Sequence, residues 1–202
     1  MQGWGQGKAQ VVPPRLECHW AKSMKLIAIT ALLSLSSTAA DADRLGEYGG
    51  WTLYENVDEE SPSCSIQGRF GKAGEFVHVF YDAKANDIYF SFEERDATSI
   101  KEGDKRQLGI YFLKGSRLDD GWGEKEFEAS VDKDDGVRSF ATNLEAGDFL
   151  KDFAESSSLG LTYKGKVFTA FNLSGTAIAV AKLKACAFRV AGLNPNDPFL
   201  GG

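Results

Sequence analysis

Residues 76–92 read FVHVFYDAKANDIYFSF, and this stretch decides the class of fold. In its first half, alternate residues share a face: one face carries Phe76, His78 and Phe80, and the other carries Val77, Val79 and Tyr81. Alternation with a period of two is typical of β-strands. The turn residues 83–86 then lead into a second alternating segment, 88–92. The stretch therefore predicts a β-hairpin.

Segments of the same kind continue on both sides of this hairpin. Two of the connections between them, Asp134-Asp135-Gly136 and Lys164-Gly165-Lys166, are typical of tight hairpin turns because glycine accepts a positive φ. The further predicted strands are 51–55, 64–68, 108–113, 125–131, 137–141, 159–163 and 167–171.

Two segments have the spacing of amphipathic helices instead. One spans about 147–156, and the other spans 176–190, with Ser174 as its predicted N-cap and Gly192 as its stop. The longer one carries an apolar stripe of Thr176, Ala179, Val180, Leu183, Cys186, Ala187 and Val190. We therefore predict a mainly β fold of the α+β class. It is an antiparallel β-sandwich or curved sheet with two helices, the longer one C-terminal, in a single domain over residues 43–202.

A leader precedes this domain. Met24-Lys25 is followed by an apolar run over 26–35 and by small residues that end in Ala40-Asp41-Ala42. These three features are typical of a secretory signal peptide, and the run is shorter than the ~20 residues of a membrane-spanning helix. We therefore predict a signal peptide at 24–42, with residues 1–23 arising from an upstream start. The mature chain is expected in the periplasm or outside the cell, with no transmembrane segment.

Cleavage of this leader removes Cys18 and leaves Cys64 and Cys186. An even number of cysteines in an exported chain is typical of a disulfide-bonded domain. We predict a bond between Cys64 and Cys186, which joins the second of the predicted strands to the C-terminal helix. Two buried free thiols are the alternative.

Charge and composition exclude several classes of function. The chain has 23 Lys and Arg residues against 29 Asp and Glu residues, a formal net charge of −6. A nucleic-acid-binding protein normally shows a basic surface, so we expect no nucleic-acid partner. His78 is the one histidine after cleavage, which disfavours catalytic triads and most zinc sites. Phosphate-binding glycine loops and G-x-S-x-G are also missing, so we assign no catalytic residue, metal or cofactor.

Acidic residues form two patterns that suggest chemistry. Residues 132–136 read DKDDG, which does not fit the register of an EF-hand calcium loop and is better explained as a hairpin turn. Doublets such as Glu93-Glu94 point to opposite faces of a strand. Glycosidases need two carboxylates that face each other across a cleft, so the doublets by themselves supply no such pair.

A tryptophan lies between two glycines at 121–123, directly after two aspartates. Such a loop suits an exposed partner-binding surface, formed by Asp119, Asp120 and Trp122. The alternative is an indole that folds over the end of the sheet.

The order of these features resembles a known family. Trp51 opens a strand, Cys64-Ser65-Ile66 lies in the next, and residues 171–175 (FNLSG) lead into an Ala-rich helix with Ala179 and Leu183. The chain distantly resembles the invasion-associated locus B proteins, which are small exported proteins of alphaproteobacteria. The resemblance implies an exported β-rich domain and transfers no catalytic residue.

Two hypotheses of function follow. The first is an exported, non-enzymatic interaction domain that binds a protein or an envelope component. The second is an envelope hydrolase that acts on glycan or peptide with carboxylates brought together only by folding.

Overall fold

Eleven β-strands and two α-helices form the described part of the chain. The computed structural model describes residues 42–56, 63–71, 74–114, 117–118 and 121–194. Except for Ala42, the predicted leader and the segment 1–23 lie outside the described residues. The strands are β1 (Asp43–Tyr48), β2 (Trp51–Asn56), β3 (Ser63–Phe70), β4 (Glu75–Asp82), β5 (Asp87–Glu94), β6 (Lys105–Lys114), β7 (Arg117–Leu118), β8 (Glu124–Val131), β9 (Arg138–Glu145), β10 (Ser158–Tyr163) and β11 (Lys166–Asn172), and the helices are α1 (Ala146–Glu155) and α2 (Thr176–Val190).

The strands form one antiparallel sheet in the order β1-β2-β3-β4-β5-β9-β8-β6-β10-β11, with β7 paired to β6. Of the two predicted arrangements, the single curved sheet is the one that forms. Every predicted strand is present, although several are longer than predicted. The sequence pattern does not predict β1, because most of its side chains are exposed and it lacks apolar alternation.

The hairpin over 76–92 is confirmed as β4 and β5, which pair through Val79 and Phe90. Val77, Val79 and Tyr81 face the core, whereas the opposite face of β4 is half-buried. The buried face of β4 is thus apolar and contributes to the hydrophobic core.

The sheet curves strongly around this buried face. Five strand spacings separate β5 from β11, about 24 Å in a flat sheet at about 4.8 Å per spacing. Yet the ring centroid of Phe171 in β11 lies 6.0 Å from that of Phe92 in β5 and 5.4 Å from that of Phe70 in β3. Aromatic side chains from distant strands therefore meet in one core.

Helix α2 packs mainly on β2 and β3, and α1 packs against α2. The predicted apolar stripe of α2 is buried from Thr176 to Ala187, and Val190 is half-buried. Cys64 in β3 and Cys186 in α2 form the predicted disulfide, and both are buried. The bridge therefore attaches the C-terminal helix to the first half of the sheet.

The start of α2 differs from the prediction. Gly175, with φ of +84°, is the N-cap residue, whereas the predicted cap Ser174 is exposed and makes no side-chain cap. The Thr176 hydroxyl instead donates a hydrogen bond to the carbonyl oxygen of Leu173 at 2.7 Å. Gly49 approaches Gly175 closely, and at a positive φ only glycine tolerates that contact readily. Tertiary packing thus selects the cap position.

Candidate functional site

A groove of about 530 Å³ opens between β11 and the segment that connects β5 to β6. Its floor is apolar and consists of core residues from several strands, among them Leu108 of β6, Phe140 of β9 and Phe171 of β11. Phe168, also of β11, remains 40% exposed beside this floor. The groove exists because the curved sheet brings β11 close to the ends of β3 and β5.

The wall opposite β11 is held by hydrogen bonds. The Arg138 guanidinium donates to the carbonyl oxygen of Thr98 at 3.1 Å and to that of Ile100 at 3.4 Å. The Glu102 carboxylate accepts from the backbone N–H of Val131 at 2.7 Å. Two backbone bonds add to these: the N–H of Gly103 donates to the carbonyl oxygen of Ala129, and the N–H of Ala129 donates to that of Asp104, both at 2.8 Å. The segment 95–104 is therefore tied to β8 and β9, and the groove is preformed.

Four carboxylates lie along this groove, and they belong to Glu75, Glu93, Glu94 and Asp96. Among the described residues that line it, Arg106 alone carries a positive charge. That guanidinium already pairs with Asp104, which lies outside the lining, at 2.9 Å. The groove therefore combines an apolar floor with an excess of negative charge.

Glu93 and Glu94 both line the groove, although neighbours in a regular strand point to opposite faces. They are the last two residues of β5, where the chain turns into the connection to β6. The Glu93 carboxylate accepts from the backbone N–H of Phe76 at 3.1 Å. The doublet therefore contributes two carboxylates to one groove, which the sequence argument does not predict.

The pKa of Glu94 is raised. Burial is the main cause, and the charges of Asp96 and Glu75 raise it further, while a hydrogen bond from the backbone N–H of Asp96 acts in the opposite direction. The folded state therefore holds the Glu94 proton more tightly than the unfolded state does, and ionisation of Glu94 destabilises the fold.

Replacing Glu94 by glutamine is expected to raise the free energy of unfolding at neutral pH, by less than about 1 kcal/mol because Glu94 is only partly buried and solvent screens its charge. The gain should disappear below the ordinary glutamate pKa of 4.5, where the carboxyl is neutral in both states. Urea unfolding at neutral pH and at about pH 3.5 measures this. Glu124→Gln, at an exposed residue outside the groove, is the control. A gain that persists at low pH would contradict the electrostatic cause.

The predicted partner-binding loop is only partly described, because Asp119 and Asp120 lie outside the described residues. Trp122 is half-buried, and its ring makes an edge contact with Phe149 at 5.5 Å between centroids. Its indole N–H donates to the Asp152 carboxylate at 3.0 Å, and the Lys114 ammonium binds the same carboxylate at 2.8 Å. Trp122 thus folds over the edge of the core, and its binding role stays a prediction.

Asp152 is the acceptor that holds this tryptophan. Burial by itself would raise the pKa of Asp152, but hydrogen bonds from Lys114 and Trp122 outweigh burial, and the pKa lies below its ordinary value of 3.8. The ionised carboxylate therefore stabilises the fold above about pH 4, and this contribution is lost as the pH falls through the lowered pKa.

Replacing Asp152 by alanine is expected to lower the free energy of unfolding by about 1–2 kcal/mol at neutral pH, because two donors lose a charged acceptor. Urea unfolding measures this loss, which should shrink below about pH 4. The control is Asp148→Ala, because Asp148 is exposed and lies one turn earlier on α1. It should lower the free energy of unfolding by less than Asp152→Ala does. Equal costs for the two variants would show that the contact to Trp122 contributes nothing specific.

Other groups on the surface offer less chemistry. His78 is half-buried on the face of β4 opposite the core, and burial lowers its pKa. Within the described ranges, no three His, Cys, Asp or Glu side chains are grouped so as to hold a metal ion. The described helices include none that is long and apolar enough to cross a membrane.

The sequence reasoning missed the groove. The signal that could have indicated it is Val167-Phe168, two adjacent apolar residues directly after a hairpin turn. Alternation predicts that one of them faces solvent, and in the structure Val167 is 58% exposed and Phe168 is 40% exposed. Glu75 belongs to a different strand from Glu93 and Glu94, so spacing along the chain does not reveal that it shares a groove with them.

Comparisons with known proteins give one distant structural similarity. No family model matches the chain, and no curated protein matches it in sequence. The fold is similar to the crystal structure of invasion associated protein B from Bartonella henselae, with a TM-score of 0.47 and 12% identity. The match covers 69% of this chain and 94% of that protein. The predicted resemblance is thus confirmed as a distant structural one.

Proposed function

We propose that residues 43–202 form an exported, non-enzymatic interaction domain that binds a protein or an envelope component in the groove. The observation that carries this proposal is an apolar floor beside the exposed Phe168, between walls held by hydrogen bonds. Preformed concave sites with an apolar lining and a few polar groups are the usual form of binding sites. An exposed aromatic side chain at such a site is a common anchor for a partner.

The disulfide between Cys64 and Cys186 supports the exported part of the proposal. Disulfides persist in oxidising compartments and are rare in the cytosol. The test is the intact mass of the protein from fractionated cells, before and after reduction and alkylation. A mass that begins at Asp43 in the periplasmic or culture fraction, with two alkyl groups gained only on reduction, supports export. A full-length cytoplasmic product with free thiols contradicts it.

Site-specific photo-crosslinking tests the interaction part. A benzophenone amino acid replaces Phe168 in the groove and, as a matched control, Ile178 on α2, which is 57% exposed. We expect a crosslinked partner from position 168 in cells that express the protein, and none from position 178. Crosslinking that is equal at both positions, or absent at position 168, would contradict the groove as the binding site.

A specific observation keeps the hydrolase as a second candidate. Glu75, Glu93 and Glu94 line one groove, and a carboxylic acid with a raised pKa is what a general acid needs. The engagement of Glu93 with the backbone of Phe76 favours a structural role for that carboxylate. Hydrolysis of an envelope glycan or peptide preparation that is lost in Glu94→Gln but retained in Glu124→Gln would favour the enzyme over the interaction domain.

A further inference from the structure

Strand β11 is an edge of the sheet and also a wall of the groove. Within the described part of the chain it pairs with β10 alone and ends the strand order. Its residues 168–171 line the groove. An edge strand presents backbone N–H and C=O groups that another extended chain can pair with. The wall of this groove is therefore a template for a further strand.

A bulge in β11 sets the orientation of its side chains. In the pairing with β10, Thr169 lies opposite Leu161 and Val167 lies opposite Thr162, so Phe168 is an additional residue in β11. Bulges bend a strand and redirect a side chain. The Phe168 ring lies 6.1 Å from that of Phe92 in the core, while part of it stays exposed at the groove. Residues 169–172 beyond the bulge pair regularly with β10.

The negative charge of the groove favours basic side chains in a strand that binds there. The carboxylates of Glu75, Glu94 and Asp96 lie near the apolar floor, and the Arg106 guanidinium pairs with Asp104. The mutual repulsion of these carboxylates contributes to the raised pKa of Glu94. A Lys or Arg side chain placed among them would relieve that repulsion.

We infer that the groove binds an extended peptide segment, which pairs with β11 as an added strand and places apolar and basic side chains in the groove. This inference rests on the proposed function and names the chemical class of the partner. Since alternate residues of a strand share one face, the apolar and the basic residues of the segment occupy every second position. Backbone pairing supplies affinity, and the apolar floor and the carboxylates supply selectivity.

The test uses a synthetic peptide and the full chain. The probe is acetyl-Thr-Leu-Thr-Lys-Thr-Leu-Thr-amide, which presents Leu, Lys and Leu on one face. Titration followed by NMR should show binding, with slower amide exchange at alternate residues of β11. A peptide with Glu in place of Lys should bind at least about tenfold more weakly, because it adds a charge of the same sign to the groove.

Backbone pairing is tested by two peptides that are N-methylated at one or the other set of alternate residues. N-methylation removes the donors along one edge, so one of the two should lose binding. The double variant Glu75→Gln with Glu94→Gln should weaken binding of the Lys peptide by about tenfold. Phe168→Ala should weaken the binding of every peptide. Glu124→Gln and Ile178→Ala are the matched controls, and they should leave binding unchanged.

Three outcomes would overturn the inference. Equal binding of both N-methylated peptides would show a site for cationic amphiphiles without an added strand. A concentration-dependent dimer in ultracentrifugation that Phe168→Ala abolishes would identify a second copy as the occupant. If no peptide binds while position 168 still crosslinks to a partner, the added peptide strand is contradicted and the proposed function is not.

Discussion

Replacing both Cys64 and Cys186 by alanine is expected to lower the free energy of unfolding by about 4–5 kcal/mol. The bond closes a loop with a sequence separation of 122 residues, and loss of the bond restores that conformational freedom to the unfolded chain. The effect is large because the bridge joins β3, near the start of the sheet, to α2 at the far end of the described chain. Domain stabilities are about 5–15 kcal/mol, so the variant should be marginally stable.

Urea unfolding of the oxidised protein, the reduced protein and the double variant measures this effect. The reduced protein should lose a similar free energy, and reductant should leave the double variant unchanged. These comparisons separate the bond from the packing of the two buried sulfurs. A loss below about 1 kcal/mol on reduction would show that the unfolded chain gains little freedom when the bond is cut.

Replacing Gly175 by alanine is expected to lower the free energy of unfolding by about 3 kcal/mol. Two costs add. A left-handed backbone, here with φ of +84°, costs an ordinary residue about 1–2 kcal/mol. A Cβ at this position would lie 2.5 Å from the Cα of Gly49, so backbone must move, and such overpacking costs about 1–3 kcal/mol.

Gly165→Ala is the matched control for this variant. Gly165 has a similar φ of +71°, but no heavy atom lies within 4 Å of an added Cβ. Gly165→Ala should lower the free energy of unfolding by about 1–2 kcal/mol, which is the cost of the left-handed backbone alone. Thermal or urea unfolding of both variants isolates the contact between Gly49 and Gly175. Equal losses would show that the β1–β2 turn moves away from α2 at no cost.

The elements of the fold could be predicted largely from local pattern. The alternation in 76–92 identifies β4 and β5, and the apolar stripe of 176–190 identifies α2 with the bounds that the structure has. These predictions succeed because burial of one face imposes a period of 2 on a strand and of 3.6 on a helix. The same reasoning misses β1, since an edge strand with exposed side chains has no such period.

The candidate site was much less predictable. Trp122 was singled out by its glycine neighbours, but its contact with Asp152 depends on a residue 30 positions away. Glu75 and Glu94 belong to different segments, and only the curvature of the sheet places Phe168 beside them. The residues next to each of these groups in the sequence do not indicate which distant side chains it will contact. Local pattern therefore cannot predict that these groups come together.

By itself, the sequence determined most of the strands and both helices, which of their faces are apolar, and that Cys64 and Cys186 are the pair available for a bond. It did so because solvent exclusion acts on each segment through its own periodicity. The tertiary structure alone decided that the sheet curves until β11 approaches β3 and β5, that Gly175 rather than Ser174 caps α2, and that separate carboxylates share a groove with Phe168. These features arise from contacts between residues far apart in the chain, and such contacts form only when the open sheet curves around one aromatic core.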